Sequence, residues 1–187
     1  MALLKRTGLP ALLLALLLAV PGAATAQTAE EYDVKAIFLY NFAKFVDWPA
    51  AAFPDPNNLK ICVLGDDPFG SSLQTVAGEQ VAGHKLNVVR TDSTSKLAGC
   101  QILFISRSER DHLQQVLAAV KGSPVLTVGD TQKFADDGVI INFILEGSKV
   151  RFEINTESAD RAGIRISSKL LQLAKRIVTA PGARPGP

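Results

Sequence analysis

The chain has 187 residues, with 20 basic and 18 acidic side chains, two histidines and two cysteines. A formal charge of +2 without a basic run gives no electrostatic footprint for nucleic acid, so that class of partner is excluded. The length suits a single domain with its own core.

The first segment reads as an address rather than as part of the fold. Lys5 and Arg6 precede an apolar run from Leu9 to Val20 that only Pro10 interrupts, and Ala24-Thr25-Ala26 supplies the small residues a signal peptidase accepts. This is the layout of a secretory signal peptide cleaved after Ala26. The run is about a dozen residues, short of the roughly 20 that cross a bilayer as a helix, and no cysteine stands near the site to carry a lipid. The expected organisation is a signal over 1–26, one α/β domain over 27–180, and a disordered Pro- and Gly-rich tail over 181–187. The signal removes Lys5 and Arg6 and no acid, so the remaining 161 residues balance at 18 basic and 18 acidic.

Glu30, Glu31 and Asp33 form an acidic first turn, favoured at the positive end of a helix. Val34, Ile37, Phe38, Asn41, Phe42 and Phe45 follow at three- and four-residue spacing, predicting an amphipathic helix that buries this aromatic face and stops before Pro49. Leu59–Leu64 reads as a buried strand running into the turn Gly65-Asp66-Asp67-Pro68, with a short helix over Phe69–Ala77. Leu86–Val89 and Gln101–Ser106 are the next strands. Ser108 is the expected N-cap of a helix reaching Lys121, with Leu113, Val116, Leu117 and Val120 on one face. Pro124–Val128 is a fourth strand, followed by a short helix over Thr131–Ala135.

Strands alternating with helices, several of them apolar on both faces, predict a mostly parallel sheet flanked by helices. Val139–Leu145 and Lys149–Ile154 are separated only by Glu146-Gly147-Ser148, so the sheet closes with a C-terminal antiparallel hairpin. Asn155 is placed to cap a short helix that Gly163 ends. An amphipathic C-terminal helix is predicted from Ser167 or Ser168 through Val178, with Leu170, Leu171, Ala174, Ile177 and Val178 on its apolar face.

Cys62 and Cys100 are an even pair in an exported chain, where a bridge persists. Closing a loop of nearly 40 residues stabilises by about 4 kcal/mol in the chain-entropy account. The other reading is two buried thiols packed as small hydrophobes.

No catalytic, metal or cofactor constellation emerges. Strand ends are where a site is sought in such a sheet, but Asp66 and Asp67 occupy the place of a phosphate and would repel it. A phosphoacceptor site would need an acid where Ser106 stands. His84 and His112 have no second ligand at metal spacing, and no nucleophile elbow occurs. The remaining unexplained polar residues are Arg151, Glu153 and Asn155 on one face of the last strand, with Arg165 close by. They are either a solvated surface with a weak ion pair or a partner-binding surface, since arginine is favoured at interfaces.

Three segments resemble the YfiR family of periplasmic regulators. They are Tyr40-Asn41-Phe42-Ala43-Lys44-Phe45-Val46-Asp47-Trp48-Pro49; Ile61-Cys62-Val63-Leu64-Gly65-Asp66-Asp67-Pro68-Phe69-Gly70; and Arg151-Phe152-Glu153-Ile154-Asn155 with Ala162-Gly163-Ile164-Arg165-Ile166-Ser167-Ser168-Lys169-Leu170-Leu171. The resemblance implies a non-enzymatic periplasmic domain. It would bind the periplasmic sensor region of an inner-membrane diguanylate cyclase and so limit cyclic-di-GMP synthesis, matrix production and biofilm. It further implies release by an outer-membrane OmpA-like lipoprotein, a possible homodimer, and a disulfide at Cys62 and Cys100; a second cysteine pair found in some relatives is missing. The alternative is a periplasmic small-ligand sensor or transport accessory with its cleft near Asp66, Ser106 and Asp130.

Overall fold

A computed structural model describes residues 22–179. The apolar run of the signal and the tail from 181 onward lie outside the described residues; residues 22–26 form the first turns of a helix.

That helix, α1 (Gly22–Phe45), leads into β1 (Val46–Asp47). Then come β2 (Asn58–Leu64), β3 (Gln80–Val81), β4 (His84–Thr91) and β5 (Ile102–Ile105). After these the chain forms α2 (Leu113–Ala119), β6 (Leu126–Gly129), β7 (Ile141–Glu146) and β8 (Lys149–Asn155). It ends with α3 (Thr156–Arg161), β9 (Arg165–Ile166), α4 (Ser168–Leu173) and β10 (Arg176–Val178). Eight strands make one sheet in the order β10-β8-β7-β6-β5-β2-β4-β3, while β1 and β9 pair separately. The run β4-β2-β5-β6-β7 is parallel; β7–β8 and β3–β4 are antiparallel. This is the α/β architecture with a terminal hairpin that the alternation of elements predicts.

The sheet is covered on both faces, which is why its central strands are almost continuously apolar. On one side Ile61, Val63, Phe104, Val128, Phe143 and Phe152 pack under α1. On the other, Leu64, Leu103 and Ile105 pack with Leu113 and Val116 of α2. Cys62 and Cys100 are bridged within this second layer, their Cα atoms 5.9 Å apart. Phe38 and Phe42 carry α1 onto the hairpin, with ring centroids 5.2–5.9 Å from Phe143 and Phe152.

Several local expectations are corrected. Two apolar series run along α1, and the sheet takes the one through Tyr32, Ala36, Leu39, Phe42 and Ala43; Val34 and Ile37 of the predicted face are 38% and 52% exposed. Ala36 and Ala43, lacking bulk, let the helix lie close, while Phe38 and Phe45 are left half-buried on its flank. Over Phe69–Ala77 only a 3-10 turn forms, at Ser72–Thr75, because the Asp67 carboxylate accepts from the Phe69 N–H at 2.8 Å and holds a turn. Ser108 is not an N-cap: its hydroxyl accepts from the Asp66 N–H, and Arg107–His112 is a 3-10 segment ahead of α2. Residues 131–135 are turns rather than a helix.

The C-terminal helix is the largest departure. It runs only from Ser168 to Leu173, capped by the Ser167 hydroxyl. The chain then extends, the Lys175 N–H donates to Phe152 O at 2.8 Å, and Arg176–Val178 adds a parallel strand to β8. Ile177 and Val178 are β-branched and suit a strand, and the outer edge of β8 offers them the hydrogen bonds a lone helix end would lack.

Candidate functional site

The hairpin that bears the predicted surface is set by its turn. Gly147 adopts φ +62°, a conformation closed to most side chains, and brings Lys149 opposite Glu146. Val150, Phe152 and Ile154 then point into the core, leaving Arg151 and Glu153 on the other face. The two are held differently. Arg151 Nε is 3.7 Å from Glu146 Oε2, a loose exposed contact, whereas Glu153 Oε1 accepts from Arg176 Nε at 2.7 Å. Arg176 also forks onto Asp136, 2.7 and 3.0 Å to its two oxygens. Lys175 Nζ reaches Glu146 Oε1 at 2.6 Å. Neighbouring cations hold two carboxyls below the usual range: Glu146 chiefly through its hydrogen bond from Lys175, Asp136 chiefly through that from Arg176. The Arg176 guanidinium is pushed further up by its bonds to Glu153 and then Asp136.

The four predicted residues do not form one cluster. Arg151 and Glu153 share a strand face. Asn155 is buried, with its carbonyl oxygen accepting from the Ser158 N–H at 2.9 Å and its amide donating to Ala135 O at 2.8 Å. It caps α3 as its position suggests and lies off the surface. Arg165 is exposed on β9, in the separate two-stranded sheet, opposite Asp47. What sequence reasoning missed is the pairing of Arg176, which was placed in a helix, with Glu153 and Asp136. Among the described residues, the exposed large hydrophobic side chains are Leu145, Leu173 and Ile177 on β7, α4 and β10, and Val34 and Ile37 on α1.

The strand-end cleft is not open. Asp130 follows β6 and its carboxylate is covered by α1, accepting from Tyr32 Oη and Lys35 Nζ at 2.7 Å each. Lys35 also meets Glu31 at 2.5 Å and lies 4.2 Å from the centre of the Tyr32 ring. Burial first, then the hydrogen bond to Asp130, push the Tyr32 phenol well up. Ser106 is buried, while Asp66 is exposed on a separate loop. The sequence signal for this cluster was a charged residue, Lys35, four positions before Leu39 on a buried series.

Among the described residues no group of three or more His, Cys, Asp or Glu side chains could hold a metal, and no helix is long and apolar enough to cross a membrane. The described residues thus form a single α/β domain built on a mostly parallel sheet with an antiparallel hairpin and an ion-paired outer strand. The chain belongs to the YfiR/HmsC-like family, whose description matches residues 32–175. That family consists of periplasmic regulators of cyclic-di-GMP signalling that act through protein–protein interaction.

Among solved structures, a conserved domain protein from Vibrio cholerae O1 biovar eltor is similar at 12% identity and TM-score 0.54, over 79% of this chain and 60% of that one. A Streptococcus pneumonia ABC domain solved with L-Trp is similar at 13% identity and TM-score 0.48, over 66% of this chain and 56% of its own. The chain thus spans less than two thirds of either protein. The first likeness is one of fold alone, and the second is too slight to bear on fold or function.

Proposed function

We propose that this chain is a non-enzymatic periplasmic repressor, exported by a signal cleaved after Ala26. It holds the periplasmic sensor region of an inner-membrane diguanylate cyclase in an inactive state. The contact surface is the β8 face that carries Arg151 and Glu153, with Arg165 on β9 as a second point of contact and the exposed Leu173 and Ile177 on the flanking C-terminal elements, while Asn155 holds α3 in place. The observation that carries this reading is the ion-paired outer strand, where Arg176 bonds Glu153 and Asp136 next to the exposed Ile177, since apolar groups bordered by charge are the composition of an interface. Signal passes by association, so affinity is the governing quantity. An OmpA-like outer-membrane lipoprotein competing for the same edge would relieve repression, and a homodimer would hide it.

The test is titration of the mature domain against the cyclase's periplasmic region by calorimetry. Wild type binds, while Arg165→Glu and Ile177→Asp each weaken binding by roughly tenfold or more. Equal affinity of all three proteins places the contact elsewhere; no binding by wild type refutes the cyclase as partner.

A further inference from the structure

On the sheet face away from α1, between α2 and α3, lies a cavity of about 520 Å³, within the range of small-molecule sites. Its apolar part comes from Leu117, Val120, Val125 and Ile140, with Ala162 on the α3 side. Polar groups are few and placed at separate points. Asp137 stands beside the first turn of α2, where its carbonyl accepts from Gln114 Nε2 at 3.2 Å. Lys121 lies past the other end of α2, seven residues after Gln114. Neither the Lys121 ammonium nor the Asp137 carboxylate makes an ion pair among the described residues. Arg161 lines the cavity from α3 and is shared with Glu157 and the Ser158 hydroxyl.

Two further details bear on what this cavity accepts. Just past α2, Ala118 O accepts from the Lys121 N–H and Val120 O from the Ser123 N–H, so the turn that presents Lys121 is held by backbone bonds. Thr127, 3% exposed, receives the Ile140 N–H on its hydroxyl oxygen at 3.0 Å. Its own proton has no acceptor among the described residues and is available to donate into the cavity it lines.

We propose that this cavity is a binding site for a short peptide with free ends, two or three residues long and apolar in its side chains. The carboxylate sits between Lys121 and Arg161, and the ammonium sits at Asp137. The apolar side chain covers Leu117, Val125 and Ile140, and the Thr127 hydroxyl donates to a peptide carbonyl. Opposite charges flanking an apolar wall match the free ends of a short peptide with an apolar side chain. A fatty acid would bring its tail against the Asp137 carboxylate, and an inorganic anion would leave the apolar wall uncovered. The site is separate from the proposed cyclase contact, so either holds if the other fails.

The probe is the tripeptide Ala-Leu-Ala, followed by calorimetry and thermal unfolding of the mature protein. One-to-one binding is expected, with Tm raised by about 2 °C or more at a peptide concentration well above Kd. N-acetylation or C-amidation weakens binding by roughly tenfold each, because each removes a charge-assisted contact. Lys121→Glu, an exposed position, weakens the free peptide similarly and leaves the C-amidated one unaffected or improved. Ala162→Trp abolishes binding by filling the cavity. Absence of heat and of a Tm shift up to about 10 mM peptide, indifference to blocked ends, wild-type affinity in Lys121→Glu, or tighter binding of octanoate than of peptide each overturns the proposal.

Discussion

Lys35 Nζ lies 2.7 Å from Asp130 Oδ2, the two residues 95 positions apart in the chain and each side chain 3% exposed. The pair ties α1 to the end of β6 in a place from which water is largely excluded. A buried charge deprived of its partner is strongly destabilising, whereas replacing both partners with apolar groups is often neutral. Asp130→Ala or Lys35→Met alone is therefore expected to destabilise by about 3–5 kcal/mol, and the double variant by clearly less than the sum. Urea unfolding of the four proteins checks this. Additive losses would show that the pair is not coupled.

Tyr32 shares that carboxylate, and the sign of its pH effect follows. Burial and the bond to Asp130 raise the folded phenol above the ordinary value of 10.0. Stability from this source is complete below the unfolded pKa and is lost as pH climbs through the alkaline range toward the folded one. The tyrosinate absorbance of Tyr32, read in a Tyr40→Phe background, should rise only together with unfolding, and Tyr32→Phe should flatten the decline of stability above about pH 10. A tyrosinate signal that develops near pH 10 in folded protein contradicts this.

The legible parts of the fold were those whose information is local. Ile61–Leu64 and Ile102–Ile105 are apolar on both faces because the sheet is covered twice, and Gly147 marks its hairpin with a backbone conformation that few other residues accept. The misread parts depend on distant partners. The stretch from Leu170 to Val178 fits a helical wheel, and only the open edge of β8 turns its end into a strand. The partners of Arg176, a charged residue of that predicted helix, were hidden for the same reason: its acids, Asp136 and Glu153, are 40 and 23 positions away. On α1 the choice between two apolar series rested on Asp130, which draws Lys35 and Tyr32 inward. For the candidate surface, Arg151 and Glu153 followed from strand alternation, but the burial of Asn155 followed from its capping of α3, which competes with display on the same strand.

The bridge between Cys62 and Cys100 closes a loop with a sequence separation of 38 and ties β2 to the residue leading into β5. Thiol titration of unreduced, denatured protein should find almost no free sulfhydryl. Cys62→Ala/Cys100→Ala should lower stability by about 4 kcal/mol through the entropy regained by the unfolded chain. Close to two thiols per chain in protein taken from the periplasm would refute the bridge.

Arg176 is the hinge of the proposed contact edge, because its guanidinium joins β10 to Glu153 of β8 and to the loop bearing Asp136. These contacts are exposed and add little to global stability: Arg176→Ala is expected to lower it by no more than about 1 kcal/mol. Its local effect is larger, since β10 is three residues long and bordered on one side only. Amide exchange at Lys175, Arg176 and Ile177 should speed up in the variant while exchange in β2 and β5 stays unchanged. Lowering the pH should act in the same direction in wild type. The depressed carboxyls of Asp136 and Glu146 stabilise above the usual carboxyl range, and this is lost as pH falls through their folded values, releasing Arg176 and Lys175. If Arg176→Ala exchanges like wild type across residues 175–177, the strand is held by its backbone bonds and Ile177 packing, and the ion pairs have no part in presenting the edge.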